Sequence, residues 1–164
     1  MPKPASKSKS LIIADYFILK NKKDKKGLTN KKLQKLLYYA QAWSLVLNNR
    51  TIFDDKIEAW VHGPAIPLIY STFKSFGFKD IEVEVDENGL NSIDGKDRKL
   101  LDQIWSIYGN LDAGYLELLT HSEEPWQEAR KGLQSDENSE NEISLKGMKI
   151  YYSEKLKQSR KSSK

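Results

Sequence analysis

The chain has no cysteine in its 164 residues, only two histidines (His62 and His121), and five prolines. Without cysteine there can be no disulfide, no thiolate metal site and no thiol nucleophile, and a cytoplasmic location is the expectation. No apolar run approaches the roughly 18 residues needed to cross a bilayer, so no membrane partner is expected. The lysine-bearing start reads against a secretory leader, because Asp15 and Lys20 interrupt its apolar stretch and no small-residue cleavage site follows. The two histidines lie far apart, and only Glu124, three residues after His121, has ligand spacing, so no metal is expected. Glycine-rich phosphate loops, nucleophile elbows and HExxH are all missing, and neither Glu58 with His62 nor Glu123 with Glu124 has a spacing that demands acid–base chemistry. The expectation is a protein without catalytic residues or cofactor.

What is present is charge, unevenly spread. Residues 1–35 carry eleven lysines against two acids, and residues 155–164 carry five basic groups and no acid. The stretch between, 36–154, holds 21 acids against 11 basic residues, so a net charge of +4 hides an acidic body with basic ends. The organisation expected is a disordered basic arm over 1–10, one helical domain over 11–157 and a disordered basic tail over 158–164.

Within the domain, apolar spacing favours helices. The stretch 11–20 reads as a short buried helix. Thr29 is a good N-cap for the clearest helix, 30–47, with Leu28 and Leu33 as a hydrophobic staple and Leu33, Leu36, Leu37, Ala40, Ser44 and Leu47 on one face. Gly63-Pro64 bars a helix from running through, and Pro67 suits the first turn of another over 67–76. Residues 81–85 alternate Ile, Glu, Val, Glu, Val like a half-buried strand, with Asn88-Gly89 as a turn and either 90–93 or the segment near Ile57 as its partner. Further helices are expected from Lys96 to Tyr108, over 112–121 with Asp112 as cap, after Ser122, and after Ser144. The acidic stretch 134–142 reads as a loop with nothing to bury. The fold class expected is mainly α, a single compact helical domain of about seven helices with a small antiparallel β-hairpin.

Two binding readings arise from the residues. Four tryptophans, eight tyrosines and five phenylalanines are many for a core of this size, and surplus aromatics anchor protein interfaces. Tyr38, Tyr39, Trp43, Trp60, His62, Tyr70 and Trp126 are the candidate partner-binding residues on that reading. The alternative is a DNA-binding regulator that meets phosphates with Lys31, Lys32 and Lys35 at a helix N-terminus. His62, at the bend, is expected as a neutral imidazole bonded to backbone or a carboxylate.

Three motifs in order give a resemblance. The helix Leu33-x-Lys35-Leu36-Leu37-Tyr38-Tyr39-Ala40-Gln41 precedes the turn Ala59-Trp60-x-His62-Gly63-Pro64, with Pro67 and Tyr70 after it, and then Thr120-His121…Pro125-Trp126-x-x-Ala129. Together they resemble the SocA-like, or Panacea-domain, antitoxins, which overlap phage-associated GepA-type proteins. One departure is Ala65, where the family usually has valine after Gly-Pro, a conservative packing change. The resemblance implies a mostly helical domain that neutralises a toxin encoded beside it by direct protein–protein binding. One branch resembles an adaptor that delivers its toxin to a Clp-type protease. No catalytic residue carries over.

Overall fold

The computed structural model describes residues 7–162. Among them, eight α-helices and one two-stranded antiparallel hairpin assemble around a single central helix. That helix, α2 (Asn30–Leu47), starts where expected: the Thr29 side chain accepts the Lys32 amide, and Leu28 and Leu33 are both fully buried. Fourteen of its eighteen residues are buried, far more than one apolar stripe, because neighbours cover it on several sides. α1 (Lys9–Asp24), α5 (Gly95–Tyr108), α6 (Ala113–His121) and α8 (Leu145–Ser162) all pack on it, as do α3 (Pro67–Phe73) and strand β2 (Gly63–Ala65).

Several boundaries depart from the sequence reading. Ser8 caps α1 at its first turn and the helix continues to Asp24, so both 9–10 and the lysine-rich 21–24 are helical. α8 likewise runs to Ser162, through most of the stretch expected to be a disordered tail. Residues 1–6 of the expected arm and 163–164 of the tail lie outside the described residues.

The hairpin is not at 81–93. Ile81, Val83 and Val85 do turn inward while Glu82 and Glu84 face out, but the segment pairs with no strand, and the Ile81 amide instead donates to the Leu28 carbonyl at 2.9 Å. Asn88-Gly89 falls inside a short helix, α4 (Glu87–Leu90), because Asp86 caps it through the Asn88 amide. The true hairpin joins β1 (Glu58–Trp60) to β2, with Trp60 opposite Gly63. α7 (Glu124–Ala129) begins after Glu123, and Ser122 closes α6 rather than capping α7.

The acidic loop is also more structured than expected. Ile143 is buried, and its amide donates to the Ile57 carbonyl at 2.8 Å, so 141–143 runs along the free edge of β1. Arg130, itself buried, donates to the carbonyls of Ala59, Gln134 and Glu137 and ties loop and hairpin together. No described helix is long and apolar enough to cross a membrane.

Candidate partner-binding groove

The hairpin turn is seated on α2 by polar contacts. Gln34, fully covered on α2, accepts the Ile66 amide at 2.7 Å and donates to Asn30, which donates in turn to the Tyr70 carbonyl at 3.1 Å. Lys35 donates to the Pro64 carbonyl at 3.2 Å. Behind the turn, Trp126 donates its indole N–H to the Trp60 carbonyl at 2.8 Å and stacks on His121, with ring centroids 3.9 Å apart.

Between the first half of α2, the turn, α3 and residues 138–140 lies an open groove of about 630 Å³. Trp60 and Tyr70 form one wall, edge to face at 5.1 Å, and Lys74 sits over the Tyr70 ring. Phe78 stands on the rim 96% exposed, directly after Gly77. So bare a phenylalanine, with Trp60 and Tyr70 lining the same groove, leaves a large apolar surface open to solvent.

The charged residues of this region form one cluster. Glu117 on α6 accepts from Lys31 at 2.8 Å and from His62 Nδ1 at 2.6 Å. Burial pushes the Glu117 carboxyl up, but the hydrogen bonds from Lys31 and His62 together with their charges outweigh it and hold the group below the usual glutamate value. Burial brings the Lys35 ammonium down to about 7, Lys31 adds repulsion, and Glu117 opposes both. Burial also lowers His121, whose Nε2 is enclosed without a hydrogen-bond partner among the described residues.

The structure sorts the sequence candidates into three groups. Trp60, His62 and Tyr70 line the groove together, and His62 bonds a carboxylate, one of its expected partners. Tyr38 and Tyr39 are at most 1% exposed, which removes them from any partner surface. Both join a buried cluster in which the Tyr39 hydroxyl donates to Glu123 at 2.6 Å and the Tyr152 hydroxyl bridges Tyr38 and Glu123. Trp43 is half-buried and donates to the Tyr108 hydroxyl, and Trp126 braces the back of the hairpin. The lysines expected to meet phosphates share no open face: Lys32 is buried with its ammonium on the Gly109 carbonyl at 2.6 Å, Lys35 is buried under the hairpin, and Lys31 is paired with Glu117. Phe78, Gln34 and Glu117 were missed. Phe78 follows a glycine in a segment without periodicity, and Gln34 and Glu117 have partners 32 and 55 residues away.

Comparison with known proteins agrees with this motif set. The family model described as "Antitoxin SocA-like, Panacea domain" matches residues 33–127, which contain α2 from Leu33 onward, the hairpin, the Trp60–Tyr70 wall of the groove and Glu117. Among curated proteins, Antitoxin SocA of Caulobacter vibrioides (strain NA1000 / CB15N) is 41% identical over 54 residues, covering 33% of this chain and 29% of that protein. The chain thus aligns with under a third of that relative's length. No solved structure matches.

Proposed function

The chain belongs to the SocA-like antitoxin, Panacea-domain family, and on that premise we propose that it is an antitoxin that neutralises a partner toxin by direct binding through the groove. The observation that carries this reading is the rim: Phe78 almost wholly bare, beside Trp60 and Tyr70, over a concave surface of about 630 Å³. Exposed aromatics of this kind are the anchors that carry most of the binding energy in protein interfaces. No reaction is assigned to the chain. Lys32 is buried on the Gly109 carbonyl, Lys31 is paired with Glu117 and Lys35 is recessed in the groove, which weighs against the DNA-binding alternative, since the three present no common open face to a phosphate backbone.

Co-expression with the product of the adjacent open reading frame tests the proposal. Growth arrest by that product alone, relieved by the wild-type chain and not by a Trp60→Ala/Phe78→Ser variant that still folds, is the expected result. A product still toxic beside the wild-type chain would falsify it. Loss of the toxin from cells only when a Clp-type protease is present would assign the neutralisation to delivery rather than to blockade.

A further inference from the structure

The floor of the groove holds a cation that the fold leaves short of partners. Lys35 is 2% exposed, and an ammonium has three N–H groups to place. Among the described residues it makes one hydrogen bond, to the Pro64 carbonyl. Glu117 is the acid whose charge reaches it, and both oxygens of that carboxylate are already engaged, by Lys31 and by His62. The other groups around it are Lys31 on its own helix, His62 on the turn and His121 on α6, none of them an anion, with Lys74 and the carboxylate of Glu140 at the rim, where Glu140 makes no hydrogen bond or ion pair with Lys35 among the described residues. The neighbouring floor is internally matched, Asn30 and Gln34 using their amides on each other, on Ile66 and on Tyr70. The place is nonetheless built for this side chain, because residue 63 lacks a Cβ at the point where one would meet the Lys35 Cε.

We propose that Lys35 anchors a carboxylate side chain of the partner polypeptide, whose adjoining apolar residue lies against Trp60, Tyr70 and Phe78. This rests on the antitoxin reading and adds the chemistry of the toxin segment: an Asp or Glu next to a large apolar residue. A buried ammonium with unfilled donors is costly, and an incoming carboxylate is the group that matches it. A phosphate fits less well. It needs several converging N–H groups, yet the Ile66 amide behind the floor is already donated to Gln34 and Lys31 is already paired with Glu117. The carboxylate brings one negative charge to one cation, and the aromatic rim supplies the apolar contact that the exposed Phe78 lacks.

The test is calorimetric titration of the chain with the purified product of the adjacent open reading frame, using wild type and Lys35→Met. Wild-type affinity is expected to fall severalfold or more between about pH 6 and about pH 8.5, as the free lysine loses its proton. Lys35→Met is expected to bind roughly tenfold or more weakly at the lower pH and to lose most of that slope. One Asp→Asn or Glu→Gln change in the toxin should reproduce the loss and should not add to Lys35→Met. Equal affinity and equal slope in the two proteins overturns the anchor and leaves the antitoxin reading standing. No binding by the wild-type chain, with toxicity unrelieved, overturns that reading and the anchor with it. Should Lys35→Met not fold, the Lys35 side-chain resonance of the wild type decides: its titration midpoint must rise in the complex, and an unchanged midpoint refutes the contact. Displacement of the toxin by inorganic phosphate and not by acetate would replace the carboxylate with a phosphate.

Discussion

A Cβ on residue 63 would lie 2.6 Å from the Cε of Lys35 and 3.0 Å from the hydroxyl of Thr120. The hairpin and the central helix therefore approach each other through the side chain that glycine lacks, and Gly63 also holds a φ of +110°, which L side chains rarely adopt. Gly63→Ala combines that backbone strain with a collision against a buried lysine. The expected cost is about 2 kcal/mol or more, read as a shifted urea midpoint with unchanged slope. Adding Lys35→Ala should recover the part due to collision and leave the part due to φ, so a double variant no better than the single would refute the steric account.

Glu123 is the second pivot. It is 2% exposed and accepts from Tyr39 at 2.6 Å, Tyr152 at 2.9 Å and Lys155 at 2.8 Å, which fastens α8 to α2 from the start of α7. Glu123→Ala leaves the buried Tyr39 hydroxyl without an acceptor, takes one of two partners from Tyr152 and frees Lys155, and should cost on the order of 3 kcal/mol. Glu123→Gln keeps an acceptor oxygen and should cost less. Hydrogen exchange locates the damage: amides of α8 should lose protection before those of α2.

How legible the fold was depended on the range of each rule. Thr29, the leucine face of α2 and Asp112 act within a few residues of themselves, and both caps are found where the sequence places them. The strand expected at 81–85 failed for a complementary reason. Alternation reports which side chains turn inward, and Ile81 does, but it cannot report whether a second strand lies alongside. In the groove the turn at Gly63-Pro64 was legible as a break, and His62 as a residue bonded there. The burial of Lys32 and Lys35 was not, because lysines on a helix read as a solvated face until partners 77 and 29 residues away are known.

Lys35 should also write itself into the pH dependence of stability. Its ordinary value is 10.5 and the folded value is about 7, so the unfolded chain binds the proton more tightly. The destabilisation is complete below the folded value and is relieved as pH rises from about 7 towards the unfolded value of 10.5. His121, also lowered by burial, acts in the same sense at lower pH. Between neutral pH and about pH 9 the wild type should gain on the order of 2 kcal/mol relative to Lys35→Met, measured by urea denaturation at each pH. Parallel profiles for the two proteins would show that the lysine is not desolvated.

Phe78→Ser separates binding from folding. The ring is 96% exposed, so removing it takes no packed side chain from the core and should leave the melting temperature within about 1 °C of wild type. If the rim is covered by a partner, the same change deletes a large apolar contact from the interface and should weaken toxin binding by about 1–2 kcal/mol, or roughly tenfold. Tyr39→Ala is the opposite case: a fully buried ring, stacked on Tyr108 at 4.1 Å, whose loss should cost on the order of 3 kcal/mol of stability. Affinity and melting temperature measured on both variants give the decision. Binding unaffected by Phe78→Ser while the fold stays intact would remove the rim from the interface and with it the surface on which the groove reading stands.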